Sequence, residues 1–194
     1  MTRFADCSVA EDIVGRARLG DPAANEVLYR TYSTAVYNLA LRLTRQRTMA
    51  EEILQETFIE VLTKIGTFRG EALLGTWIRE IAVNKCLMHL RSGWHRKSRP
   101  LEETGSDQGD NIDMAIKPEH LDLERALAAL APVSRAVVWL HDVEGYTHTE
   151  IGRLMGKTSS FSKSQLARAH QRLQVLLEDS NESEQPCMQL SNNY

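Results

Sequence analysis

The chain has 194 residues and a mass of 21.9 kDa, with 42% hydrophobic and 25% charged residues and a formal net charge of −3. This composition is typical of a globular protein and excludes a wholly disordered chain, a collagen and a disulfide-rich scaffold. The sequence lacks a run of roughly 20 apolar residues that could span a bilayer, and its acidic N-terminal residues do not resemble a secretory signal. We therefore expect a cytoplasmic protein with no membrane insertion. The three cysteines are widely separated and form no cluster with histidine, so we expect no zinc site. We also expect no other metal and no cofactor.

Charge and composition divide the chain into blocks. Two mildly basic blocks are separated by an acidic segment rich in proline and glycine, and a polar acidic segment ends the chain. The segment between the blocks lacks apolar periodicity, which predicts a flexible linker. The end of the chain is predicted to be disordered. The resulting prediction is an N-terminal lead-in at 1–21, a first domain at 22–98, an acidic linker at 99–119, a second domain at 120–178 and a disordered acidic tail at 179–194.

Apolar residues recur at helical spacing in both blocks, which predicts an all-α fold. In the first block, Asp21 followed by Pro22 is an N-cap pattern and predicts the start of a long helix. The run Thr48-Met-Ala-Glu51 is a capping-box pattern and predicts the start of a second helix.

A third helix is predicted from Thr76 to Arg91. It follows a short loop and ends in basic residues placed around Trp94. Basic and aromatic residues interleaved in this way can hold single-stranded nucleic acid. Core tryptophans beside a solvated charge cluster would give the same pattern, so this reading stays open.

The second block contains a helix-turn-helix pattern. Pro132 begins one predicted helix, and Thr147-His-Thr-Glu150 is a capping box for a short helix that ends at Gly156. Thr158 then predicts the N-cap of a long final helix. The polar face of this final helix lies opposite its apolar stripe and suits a major groove of DNA. An ordinary bundle helix with a solvated polar face would look the same.

Acidic residues cluster on the predicted second helix. Glu52, Gln55 and Glu56 share one face, away from the apolar stripe. Such a face could dock a basic partner, although acidic residues also favour the start of any helix. A carboxylate metal site is not favoured because no Glu-x-x-His pair accompanies these acids.

The order and the amino-acid sequences of these segments resemble those of a bacterial RNA polymerase sigma factor of the extracytoplasmic-function (ECF) type. The matching stretches are YNLALRLTRQRTMAEEILQETFIEVLTKIGTFRG, GTWIREIAVNK, LERALAALAPVSRAVVWLHDVEGYTHTEIGRLMG and SKSQLARAHQRLQ. The resemblance implies two small helical domains, sigma regions 2 and 4, joined by a flexible linker. It also implies a cytoplasmic, non-catalytic DNA-binding protein that binds core polymerase and directs it to particular promoters.

Carried over by position, the resemblance implies three functional surfaces. The acidic face would dock the coiled coil of the polymerase β′ clamp, and the second domain would contact the β flap. The loop after the second helix, together with the third helix, would capture the melted minus-ten element, and the last helix would read the minus-thirty-five element. The candidate residues are Glu51, Glu52, Gln55 and Glu56 for core polymerase, and Phe68, Arg69, Trp77, Asn84, Lys85, Arg91, Arg96 and Lys97 for minus-ten. For minus-thirty-five, the resemblance implies Lys163, Ser164 and Arg168, and the polar face of the last helix adds Gln165, Gln171 and Arg172.

Some positions depart from the family pattern. Glu80 lies where arginine is common, His170 stands where arginine is frequent, and Ser160-Phe161-Ser162 replaces the more usual Gly-Thr-Val. Two other classes remain as alternatives: a stand-alone helix-turn-helix regulator, and a helical interaction protein that has lost DNA binding, at which the Ser160-Phe161-Ser162 departure hints. An anti-sigma factor or a regulatory kinase is a candidate partner, and Thr48 is a candidate phosphorylation site beside the acidic face.

Overall fold

The computed structural model describes the backbone of residues 4–97 and 121–183. These residues are largely helical and include no strand, which confirms the predicted all-α fold class. The chain divides into two compact units, Met1–Ile112 and Asp113–Tyr194. The predicted linker at 99–119 and residues 184–194 of the predicted tail lie outside the described residues.

The first unit is a bundle of four helices in which α2 packs against α1, α3 and α4. Its core consists of fully buried aliphatic side chains at helical spacing, among them Leu28, Val36, Ile53, Val61 and Ile78. The burial of these side chains supplies the main stabilising free energy of the bundle. The helices are α1 (Glu11–Arg18), α2 (Pro22–Thr44), α3 (Arg47–Lys64) and α4 (Leu74–Lys97), with short 3-10 turns at Phe4–Asp6 and Ile65–Thr67.

The start of α2 follows the sequence prediction. Asp21 is the N-cap, and its carboxylate accepts a hydrogen bond of 2.9 Å from the backbone N–H of Ala23. Its other oxygen accepts from Arg16 at 2.6 Å. The hydrogen bond from Arg16, followed by that from Ala23, lowers the pKa of Asp21. The same contacts fix the joint between α1 and α2.

The capping box predicted at Thr48 is wrong. Helix α3 begins at Arg47, its N-cap is Gln46, and no side chain caps it. Only Arg45 and Gln46 connect α2 to α3, and Arg45 takes a left-handed conformation with φ 58°. This tight connection starts α3 before Thr48, so Thr48 lies in the first turn and is exposed.

Two further elements differ from the sequence prediction. Helix α1 lies within the predicted lead-in, where it packs on α2 and on the turn at Ile65–Thr67. Helix α4 is longer than predicted and runs through the basic residues to Lys97.

The second unit is built around its last helix, which contacts the three helices before it. Its helices are α5 (Leu121–Ala128), α6 (Pro132–Val138), α7 (His148–Met155) and α8 (Ser159–Ser183), with a π-helical turn at Trp139–Val143. Val137, Leu140 and Ile151 are fully buried in its core. Helix α8 ends at Ser183, five residues beyond the predicted helix end at Glu178. These five residues belong to the segment predicted to be a disordered tail.

The helix-turn-helix forms as its local signals predict. The Thr147 hydroxyl accepts from the Glu150 N–H at 3.3 Å, and the Glu150 carboxylate accepts from the Thr147 N–H at 2.7 Å. Gly156 ends α7 in the left-handed region, with φ 64°. A methyl group at Gly152 would lie 2.9 Å from the carbonyl oxygen of Lys157, so the turn packs directly on α7. These contacts fix the direction in which α8 leaves the turn.

Candidate protein and nucleic-acid interfaces

The outward side of α3 carries the predicted polymerase contacts. Glu51, Glu52 and Gln55 are all exposed, and Ile59, one turn further on, is 68% exposed. Because side chains three and four residues apart share a helix face, these four side chains form one surface. We call Glu51, Glu52, Gln55 and Ile59 the α3 outer face. It is acidic toward the start of the helix and apolar toward its end.

Glu56, predicted to belong to the same surface, turns toward α4. Its carboxylate lies 3.9 Å from the Lys85 ammonium and 3.7 Å from His89 Nε2. Lys85 also pairs with Glu60 at 2.9 Å, and Glu60 accepts from Lys64 at 2.7 Å. The hydrogen bonds from Lys64 and then Lys85 lower the pKa of Glu60. Glu56 and Lys85, predicted to serve different partners, thus lie together between α3 and α4.

The loop between α3 and α4 presents an aromatic pair. The rings of Phe68 and Trp77 have centroids 5.3 Å apart and are tilted by 38°. The Phe68 N–H donates to the Ile65 carbonyl at 3.1 Å, which holds the loop to the end of α3. Arg69 is well exposed, and its guanidinium lies 3.7 Å from the Glu71 carboxylate. The predicted loop residues therefore stand beside Trp77, the first predicted contact on α4.

One face of α4 brings together several predicted strand contacts. Trp77, Asn84 and Arg91 recur at helical spacing, and Asn84 is exposed. Glu80 is exposed between them, so this face combines aromatic, amide and basic groups with one carboxylate. Lys85 lies about a quarter turn away, toward α3. The side chains of Arg96 and Lys97 lie outside the described part of the structure.

Helix α8 exposes most of the residues predicted for minus-thirty-five. Lys163, Ser164, Arg168, Gln171 and Arg172 are all exposed. The Arg168 Nε donates to the Ser164 carbonyl at 3.1 Å, so its side chain lies along the helix. This face presents hydrogen-bond donors of the kinds that bind the acceptor atoms of base edges and phosphates.

Gln165 is partly committed to the fold. Its Oε1 accepts a hydrogen bond of 3.0 Å from the Ser134 hydroxyl on α6. This contact orients the amide, because the acceptor end faces α6 and only the NH2 end remains for a ligand. Gln165 therefore differs from its exposed neighbours on α8.

The unusual Ser160-Phe161-Ser162 run leaves the helix-turn-helix intact. Ser162 takes the fully buried position, and its hydroxyl lies 3.1 Å from His148 Nδ1 on α7. Phe161 is half-buried, with the Lys157 ammonium 6.0 Å from its ring centre. The buried polar group thus has a partner on the facing helix, which removes the cost of placing serine there.

Two histidines contact Asp142 in the second unit. His170 Nε2 on α8 lies 2.7 Å from one Asp142 oxygen, and His141 Nδ1 lies 2.8 Å from the other. The His141 and His148 rings are stacked, with their centroids 4.4 Å apart. Burial opposes ionisation of Asp142, but the hydrogen bonds from His141 and His170 outweigh it and lower its pKa. The departure at His170 therefore serves a contact within the fold.

Residues 4–97 and 121–183 offer neither a metal centre nor a membrane-spanning helix. Within those ranges, no group of three or more His, Cys, Asp or Glu side chains is arranged to hold a metal ion. None of the helices there is both long and apolar enough to cross a bilayer.

The second unit contains a helix-turn-helix, a motif that many DNA-binding proteins share. Residues 28–96 match the family model for Sigma-70 region 2, and residues 120–173 match the model for Sigma-70, region 4. The chain is 31% identical over 160 residues to the ECF RNA polymerase sigma factor SigM of Mycobacterium tuberculosis, covering 81% of this chain and 79% of that protein. It is 30% identical to the RNA polymerase sigma factor CarQ of Myxococcus xanthus, covering 84% and 94%.

The chain therefore belongs to the ECF sigma factors of the sigma-70 family. It is an alternative sigma factor, which directs promoter-specific transcription initiation by RNA polymerase. This finding favours the sigma factor over a stand-alone helix-turn-helix regulator.

Solved structures share the fold. The sigma factor RpoE from Bartonella quintana, in complex with the anti-sigma factor NepR, matches with a TM-score of 0.53 and 20% identity, covering 79% of this chain and 96% of that one. CnrH, in complex with the cytosolic domain of CnrY, matches with a TM-score of 0.51 and 18% identity, covering 87% and 96%.

Proposed function

We propose that this sigma factor divides its work among three surfaces. The α3 outer face docks core polymerase. The loop at 68–73, here named the Phe68 loop, captures the melted minus-ten strand together with α4, and α8 reads the minus-thirty-five element. The observation that carries this assignment is the capped helix-turn-helix, from which α8 projects an exposed row of basic and amide side chains. A second unit of this kind supplies duplex recognition, which leaves the first unit for polymerase and opened DNA.

The α3 outer face fits a basic coiled coil such as that of the β′ clamp. Glu51 and Glu52 supply negative charge at the rim, Gln55 can hydrogen-bond in either direction, and Ile59 adds apolar area. Charge complementarity of this kind accelerates association and fixes register. We assign Glu56 a secondary role, because its carboxylate already lies near Lys85 and His89. The second unit is proposed to contact the β flap.

The Phe68 loop suits the capture of an unstacked base. Extruding a base costs a few kcal/mol, which stacking on an aromatic ring can offset by about 1–3 kcal/mol per base. Phe68 and Trp77 offer such rings, and Arg69 is exposed beside them. Asn84 and Arg91 continue this surface along α4, with Arg96 and Lys97 proposed as phosphate contacts. Lys85 would have to leave Glu60 in order to reach DNA.

On α8, Arg168 and Gln171 are proposed to read bases, because Arg and Gln side chains can each make two hydrogen bonds to one base edge. Lys163, Ser164 and Arg172 are proposed to hold phosphates, and Gln165 to orient the helix. Splitting recognition over two units lets modest contacts add through effective concentration. Free chain should therefore bind DNA weakly and in a salt-sensitive way.

Several wider properties belong to the same proposal. Sigma factors are initiation factors without enzymatic activity, and we propose that this chain works in the cytoplasm without catalysis of its own. The proposed functional limits are region 2 at 22–98, a linker at 99–119 and region 4 at 120–178. An anti-sigma factor is proposed as a regulator, because the structure of RpoE contains the anti-sigma factor NepR and that of CnrH contains the cytosolic domain of CnrY.

The direct test measures binding to cognate bacterial core RNA polymerase. A Glu51→Ala/Glu52→Ala/Gln55→Ala variant should bind at least about tenfold more weakly, because three adjacent contacts are lost together. A matched control, Glu11→Ala/Glu26→Ala, removes two negative charges from α1 and α2 and should bind normally. Equal affinity of all three proteins would contradict the assignment of α3. Tight binding of duplex DNA by free chain at physiological salt would favour the stand-alone regulator instead.

A further inference from the structure

Helix α1 contacts the loop to which we assign minus-ten capture. Arg18, its last residue, donates a hydrogen bond from Nη2 to the backbone carbonyl of Phe68, 50 residues further along the chain. The guanidinium carbon also lies 5.7 Å from the centre of the Phe68 ring. One side chain therefore touches both the backbone and the ring of the same loop residue.

The helix end that carries Arg18 is fixed by contacts of its two preceding residues. Its neighbour Ala17 is 1% exposed against the bundle, and Arg16 pairs with the Asp21 carboxylate at 2.6 Å. These contacts fix the end of α1 relative to the start of α2. Arg18 therefore extends to the loop from a rigid point, which a flexible terminus would not provide.

The loop is tied to α3 before Phe68, and residues 69–73 after it are exposed. Before Phe68, the Thr67 hydroxyl donates to the Lys64 carbonyl at 2.7 Å, which ties the chain to α3. After Phe68, Gly70 takes a positive φ of 77°, and Leu73 is 81% exposed. Arg18 therefore contacts the loop at Phe68, the first residue after the hydrogen bond that ties Thr67 to α3.

We propose that Arg18 is a positioning residue for strand opening. It holds the Phe68 ring and carbonyl in place before DNA arrives, so that less ordering is needed when the flipped base binds. Together with Trp77, which packs against the same ring, it sets the orientation of the capture surface. The proposal rests on the proposed role of the Phe68 loop.

The test follows promoter opening by holoenzyme, using 2-aminopurine in the non-template strand of the minus-ten element. Arg18→Ala should slow the rise in fluorescence by about tenfold, while its affinity for core polymerase stays unchanged. Arg18→Lys keeps the charge but loses the planar fork that contacts ring and carbonyl together, so it should be slowed to a similar extent. Arg30→Ala, which removes an exposed arginine from α2, is the matched control and should open normally.

A double-mutant cycle with Phe68→Ala separates the possible failures. If Arg18 acts through Phe68, Arg18→Ala should cost less than about threefold in the Phe68→Ala background. A full tenfold cost there, or wild-type opening by Arg18→Lys, would overturn the proposal in favour of an independent phosphate contact. If Phe68→Ala slows opening but Arg18→Ala does not, the positioning role alone fails. If Phe68→Ala opens normally, the minus-ten role of the loop fails and this proposal fails with it.

Discussion

Replacing Gly152 by alanine should damage the helix-turn-helix selectively. The new methyl carbon would lie 2.9 Å from the Lys157 carbonyl oxygen, 2.9 Å from the Thr158 carbonyl carbon and 3.0 Å from the Ser159 nitrogen. All three are backbone atoms, so no side chain can rotate away, and overpacking of this kind costs about 3 kcal/mol. The better helix propensity of alanine offsets about 1 kcal/mol. We therefore expect the second unit to lose about 2 kcal/mol of stability.

Amide hydrogen exchange of the full chain measures this loss locally. Protected amides of α7 and α8 should exchange about 30-fold faster, since 1.4 kcal/mol corresponds to a factor of ten. Amides of α2 and α3 should be unaffected. Gly15→Ala is the control, because nothing lies within 4 Å of its added methyl group and α1 should gain stability. Unchanged exchange in α7 and α8 of the Gly152→Ala protein would refute the packing argument.

Three other predictions concern single side chains. Thr48→Glu, a mimic of phosphorylation in the first turn of α3, should tighten polymerase binding several-fold, and an unchanged dissociation constant would argue against regulation there. Burial raises the pKa of the Cys86 thiol to about 12, so peptide mapping after iodoacetamide treatment should find Cys86 labelled only when the chain is unfolded. Partial burial, and then the nearby charges of His141 and Lys163, lower the pKa of His148, so its protonation favours the unfolded state. The stability of the second unit should therefore fall as pH drops below about 6.5, and thermal unfolding of His148→Gln should show a flatter dependence there.

Signals that act within one turn of helix could be predicted from the sequence. Asp21 caps α2, Thr147 forms its box with Glu150, and Gly156 ends α7, because each needs only its near neighbours. The box at Thr48 failed because the two-residue connection before it started the helix early. A capping pattern of four residues does not show where the preceding helix ends or how few residues connect it to the next helix.

Contacts between distant segments could not be predicted in the same way. Arg18 reaches Phe68 across 50 residues, and its surroundings in the sequence carry no signal of that contact. Glu56 and Lys85 each matched an expected external role, yet packing of α3 on α4 brings them near each other. The resemblance to sigma factors identified the class correctly, whereas the roles of individual residues stay predictions.

The most direct test of the sigma role is reconstituted transcription with cognate core polymerase on genomic DNA, with mapping of the 5′ ends. Adding the chain should produce discrete new start sites preceded by shared minus-ten and minus-thirty-five sequences. The Glu51→Ala/Glu52→Ala/Gln55→Ala variant should fail to produce them at matched concentration. The same set of start sites with and without the chain, under conditions in which it is bound to core polymerase, would contradict the conclusion that it directs promoter-specific initiation.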